Sequence, residues 1–125
     1  MVSPDRGDNP CPCCGYKVHS DGAGSYLICP ICFWEDDPQA LRWPFGADNA
    51  NKISLFDAQR NYAEFGAKTE RSVPFVASAV GEEREEGFRP IDRDGDNFEP
   101  TYVQESSWPE DRSVLYWWRP TFWRN

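Results

Sequence analysis

Two C-x-x-C pairs, Cys11/Cys14 and Cys29/Cys32, constrain this chain more than anything else in it. The pairs sit in similar surroundings, Cys11-Pro12-Cys13-Cys14-Gly15-Tyr16 and Cys29-Pro30-Ile31-Cys32-Phe33-Trp34. A C-x-x-C turn lets two sulfurs reach one ion from a single short loop. Two such turns supply the four soft ligands of a tetrahedral site, which is how zinc is held structurally. The proline after each first cysteine fixes one backbone dihedral of the loop. Gly15 can take a positive φ and let backbone amides point at the sulfurs, offsetting their charge. Phe33 stands where the second pair would want the same glycine, so that knuckle departs from the ideal turn.

The segment between the pairs reads as strand, glycine-rich turn, strand: Tyr16 to Ser20, Asp21 to Ser25, then Tyr26 to Ile28. The expectation is a zinc-ribbon-like β-hairpin capped by two knuckles, with Cys11, Cys14, Cys29 and Cys32 as ligands to one zinc. Iron is the rival metal, because paired C-P-x-C knuckles also build small acidic rubredoxins. A pair of disulfides is disfavoured: the chain opens with no apolar signal segment, which points to a reducing cytoplasm. Redox catalysis at a single C-x-x-C wants a βαβ context, and none follows. Cys13 reads as a loop residue turned away from the metal, with a reactive thiol or an exchanging ligand as the alternatives. His19, the one histidine, reads as a solvent-facing residue of the first strand.

Composition limits the rest. At 125 residues with 39% hydrophobic and 15% aromatic content, the chain holds one small core of few, large side chains plus a metal staple. No stretch is long enough to span a membrane. The net charge is −8 and neither half offers a basic face, so direct nucleic-acid binding is disfavoured. An acidic surface suits solubility or a basic protein partner.

Beyond the second knuckle, Glu35-Asp36-Asp37 reads as a solvated turn and residues 39–52 as a loop without periodicity. The helix expected is 54–65. Ser54 is its N-cap, Leu55, Ala58, Tyr62 and Phe65 form one apolar stripe, and Gly66 is its stop. Residues 1–10 read as a flexible lead-in and Glu82 to Gly87 as a solvated charged run. The stretch Asp92 to Asp96 has the look of a calcium loop, but Asn97 and Val103 occupy the glycine and glutamate positions that such a loop needs, so it reads as a turn. Six large aromatics crowd the end of the chain, from Trp108 to Trp123. Ser113 to Trp118 reads as a strand closing the core. The alternative is that Trp108, Trp117, Trp118 and Trp123 face a protein partner, since Trp, Tyr and Arg dominate binding hot spots.

The two cysteine motifs, followed by Glu35-Asp36-Asp37 and by Asn51, Ser54-Leu55, Ala58, Asn61-Tyr62 and Phe65-Gly66, resemble the bacterial cysteine-rich family named for its C-P-C-C motif. The resemblance runs over about residues 9–70. It implies a small bacterial zinc-knuckle protein whose four C-x-x-C cysteines are Cys11, Cys14, Cys29 and Cys32 and whose extra cysteine is Cys13. It brings no activity with it.

The expected architecture is therefore α+β: a zinc-ribbon-like unit over 9–70 with one amphipathic helix, and an aromatic-rich C-terminal extension over 71–125 packed on the same core. The expected function is that of a non-enzymatic zinc-binding module that contacts another protein. Two alternatives stand beside it, an acidic immunity-type inhibitor of a basic toxin and an iron electron-transfer protein. No Ser/His/Asp set, carboxylate pair or phosphate loop points to an enzyme, and a closed four-thiolate site lacks the open position that catalysis needs.

Overall fold

A knuckle is itself a tight chain reversal, so the residues flanking it are antiparallel before any longer turn can act. This decides the local fold in the computed structural model, which describes residues 7–124. Around the first knuckle, β1 (Asn9–Pro10) pairs with β2 (Lys17–His19), with a bulge between Asn9 and Pro10. Around the second, Ile28 bridges Glu35, and the Asp36 N–H donates to the Leu27 carbonyl at 3.0 Å. The hairpin expected between residues 16–20 and 26–28 does not form. Each knuckle closes its own hairpin, because a short loop costs less closure entropy than the longer one through Asp21 to Ser25. The lead-in expected over 1–10 is replaced by β1 at its end; residues 1–6 lie outside the described residues.

The bulge also explains His19. It breaks the two-residue alternation that would have turned His19 to solvent, and both Val18 and His19 are buried.

Two residues of the acidic triplet, Asp36 and Asp37, are buried and structural rather than solvated. Asp37 caps α1 (Pro38–Arg42), accepting from the Gln39 N–H at 2.9 Å with Pro38 at the first helical position. Its second oxygen accepts from the Ala50 N–H at 2.9 Å. Sequence periodicity could not reveal a five-residue helix, and α1 falls within the stretch expected to be loop. α2 (Leu55–Phe65) forms as expected: the Ser54 hydroxyl accepts from the Asp57 N–H, and Gly66 ends the helix at φ 80°. Leu55 and Ala58 are fully buried, whereas Phe65, at the end of the stripe, is 37% exposed.

The C-terminal region holds a 3-10 turn, Arg112–Leu115, where a strand was expected. Asp111 accepts from both the N–H and the hydroxyl of Ser113, a local side-chain bond that competes with extended backbone. Tyr116 and Trp117 are buried in succession and Trp118 is half-buried. Trp118 stacks on Tyr116 at 4.6 Å and meets Trp117 and Phe88 edge-on at 4.8 and 4.9 Å. Ile91, Leu115, Tyr116, Trp117 and Phe122 share one core with the four C-x-x-C cysteines, Trp34 and Leu55.

A buried ion pair ties α1 to this region. Arg42 donates to both carboxylate oxygens of Glu99, at 2.5 and 2.8 Å, and to the Ser106 carbonyl at 2.8 Å. Its guanidinium lies over the rings of Trp43, Trp108 and Trp123 at 5.2, 4.8 and 4.8 Å. Arg42 holds the Glu99 carboxyl below its usual range. Removing either partner would leave an uncompensated buried charge, at a cost of roughly 3–5 kcal/mol. Among the described residues, no helix is long and apolar enough to cross a membrane.

Candidate metal centre

The two knuckles repeat the same backbone bonds. In the first, the Gly15 N–H donates to the Cys11 carbonyl at 2.7 Å and the Cys11 N–H to the Tyr16 carbonyl at 2.9 Å. In the second, Phe33 donates to Cys29 at 2.9 Å and Cys29 to Trp34 at 2.8 Å. The turn demands a left-handed residue, and both supply it: Gly15 at φ 83° and Phe33 at φ 71°. The departure from the ideal turn expected at Phe33 does not occur. Phe33 adopts the glycine conformation at a cost of about 1–2 kcal/mol.

This geometry brings Cys11, Cys14, Cys29 and Cys32 together. Their sulfurs all lie within 4.8 Å of one another, with Cys11 to Cys32 and Cys14 to Cys29 at 3.6 Å. All four are free thiols with no exposure to solvent. A metal with metal–sulfur distances of about 2.3 Å sets tetrahedral sulfurs about 3.8 Å apart, so the donor set fits. Among the described residues this is the one His, Cys, Asp and Glu group that could hold a metal ion. The Ile31 N–H donates to the Cys29 sulfur at 3.3 Å, as a thiolate requires.

The electrostatics describe a cluster in need of a cation. Burial pushes the Cys11 and Cys32 thiols well up. Burial acts on Cys29 too, but hydrogen bonds from Cys11, Cys14 and Cys32 prevail and hold it well below the ordinary thiol value. A divalent ion at the centre would favour the ionised form of all four and expel their protons.

Around the sulfurs lies a shell that spacing alone did not reveal. Arg84 donates from Nε to the Cys14 carbonyl at 2.8 Å, and its guanidinium lies over the rings of Tyr16 and Phe88. Lys68 donates its N–H to the Cys32 carbonyl at 2.7 Å, and its ammonium lies over Phe33. Gln59 donates from Nε2 to the Pro12 carbonyl at 2.9 Å. Asn51 exchanges two 2.8 Å bonds with the backbone of Glu35. Cys13 is 2% exposed, lies outside the four-sulfur group, and burial raises its thiol. The four tryptophans considered as a partner surface are placed in or against the aromatic core: Trp117 is buried, and Trp108, Trp118 and Trp123 are half-buried.

The family described as Cysteine-rich CPCC matches residues 9–83, more than half of the chain. The match runs past the limit near residue 70 that the motifs indicated. Its added residues reach the 83–85 segment, where the Lys17 N–H donates to the Glu83 carbonyl at 2.8 Å. No curated protein and no solved structure matches the chain.

Proposed function

The chain belongs to the cysteine-rich CPCC family, and from that premise we propose that it is a non-enzymatic zinc-binding protein acting as a protein-interaction module. The observation that carries this reading is the closure of the four-sulfur cluster. Four thiols without solvent exposure offer four ligands at a site closed to water. A catalytic zinc keeps an open position, whereas a structural zinc does not. The ion would then staple the two hairpins together, and its binding energy would be folding energy for residues 9–37. Surface, rather than chemistry at the metal, is what such a scaffold offers a partner.

Iron in the same thiolates is the second reading, since four sulfurs at tetrahedral spacing suit it as well. Elemental analysis of the freshly purified protein decides between them. About one zinc per chain in a colourless protein is the expected result. Stoichiometric iron in a red protein with reversible one-electron chemistry would replace the proposal with electron transfer. Protein free of any metal, folded and with all thiols titratable, would overturn both.

A further inference from the structure

Four thiolates on one divalent ion leave uncompensated negative charge in a site closed to water, and such charge is costly unless the surroundings offset it. The Ile31 N–H offsets part of it at Cys29. Lys68 stands at Cys32, the other sulfur of the same knuckle. Its backbone N–H donates to the Cys32 carbonyl at 2.7 Å. Its half-buried side chain is held at two points. Nζ donates to Asn51 Oδ1 at 2.9 Å and lies 5.3 Å from the centre of the Phe33 ring, the residue that follows Cys32. Asn51 is itself fixed by two 2.8 Å bonds with the Glu35 backbone. The ammonium is therefore pinned to the knuckle. Burial pulls the Lys68 pKa below its ordinary value, and Glu35, Cys32 and Cys13, in that order, pull it back. Cys32 and Cys13 thus lie within electrostatic reach of the ammonium, and so does Glu35.

We propose that Lys68 is a positioning residue of the metal centre: its ammonium, fixed at the second knuckle by Asn51 and Phe33, offsets the charge of the Cys32 thiolate and so tightens the binding of a divalent ion. The proposal rests on the reading of the four sulfurs as a metal site, and it adds a residue that sets affinity without being a ligand. A charge at the edge of a closed site can act in this way because screening there is weaker than in bulk water. The arrangement also gives Phe33 a part. Where the first knuckle has a glycine, the second has an aromatic face on which the ammonium rests. The Glu35 carboxylate competes for the same ammonium, so the two residues act on the metal with opposite sign. That opposition separates an electrostatic role for Lys68 from a packing role.

The test is zinc affinity, measured on the full chain by competition with a chromophoric chelator, for the wild type, Lys68→Met, Lys68→Arg and Glu35→Gln. Lys68→Met keeps the backbone N–H that bonds the Cys32 carbonyl and leaves Asn51 Oδ1 with the Glu35 N–H, so it removes the charge and little else. Glu35→Gln keeps both bonds to Asn51, because the backbone makes them. Expected is a loss of about tenfold in Lys68→Met, the lower end of what the partners of metal ligands contribute. Lys68→Arg should stay near the wild type, and Glu35→Gln should bind as tightly or more tightly. The loss in Lys68→Met should shrink between about 0.1 M and about 1 M salt, as the Debye length falls from roughly 10 to roughly 3 Å. Cobalt(II) should give every variant the same tetrahedral thiolate spectrum, with the four sulfurs in place. Five results would each overturn the proposal and leave the metal centre standing: wild-type affinity in Lys68→Met, an equal loss in Lys68→Arg, a loss in Glu35→Gln, a loss that salt does not change, or a changed cobalt spectrum in Lys68→Met. A wild type that takes up no zinc would overturn the metal reading and the proposal together.

Discussion

The two knuckles share one backbone and differ in what covers them. The first is wrapped by its own chain. Arg84 bridges Tyr16, the Glu85 N–H donates to the Gly15 carbonyl at 2.8 Å, and the Phe88 ring lies against the face of Gly15. A Cβ on Gly15 would sit 2.3 Å from Phe88, so this glycine is required twice, for its dihedral and for the ring above it. The second knuckle has a side chain at the equivalent position. Phe33 turns outward and stacks on Phe75 at 5.5 Å, and Phe75 is itself 66% exposed. The arms differ likewise: where the first buries Val18, the second buries Asp36, which accepts from the N–H groups of Gly24 and Ser25 at 3.0 and 3.3 Å. The same metal-binding turn can thus be finished with apolar packing or with polar bonds, provided that the sulfurs converge.

The sulfurs should weigh equally in spite of this asymmetry. Cys14→Ser and Cys32→Ser are each expected to abolish stoichiometric metal binding and the cooperative melt, since a structural zinc contributes about 10–16 kcal/mol of apparent binding free energy. Metal analysis and calorimetry on the two variants check this. A variant that keeps its metal and its melting temperature would break the equivalence.

The arms should separate with pH. Burial raises the Asp36 carboxyl from 3.8 to about 6. A carboxyl raised in the folded state favours folding most when protonated, so its contribution is full below about pH 4 and is lost as pH rises through 6. At 1.36 kcal/mol per pKa unit, the ionised group costs about 3 kcal/mol. Relative to Asp36→Asn, which keeps an acceptor for Gly24 and Ser25, the wild type is expected to lose stability by that order between pH 4 and pH 7.5. Urea unfolding of both proteins at the two pH values reads the difference and cancels the pH dependence of metal binding that they share. A gap that does not change with pH would remove Asp36 as its source.

Gly15→Ala is expected to destabilise by about 2 kcal/mol or more, from the left-handed backbone and the displaced Phe88 ring. Phe33→Gly is expected to change stability by less than about 1 kcal/mol, because relief of the backbone offsets the lost ring stacking. Thermal melts of the two variants compare the glycine knuckle and the phenylalanine knuckle directly. If Phe33→Gly cost as much as Gly15→Ala, the second knuckle would depend on its aromatic as firmly as the first depends on its glycine.

Sequence alone determined the parts whose physics is local. The C-x-x-C spacing defined the four sulfurs, because two residues between cysteines let one turn present both. Ser54, the apolar spacing from Leu55 to Tyr62 and Gly66 defined α2, because caps and periodicity act within one helix. The tertiary structure decided everything that depends on a distant partner. Strand pairing went to the flanks of each knuckle, Asp36 and His19 were buried, and Asp111 with Ser113 turned an expected strand into a 3-10 turn. Arg42 found Glu99 across 57 residues of chain, and Arg84 found the Cys14 carbonyl across 70. No local signal marks such pairings. They are chosen when the core closes and each buried polar group has to meet whichever partner the fold brings to it.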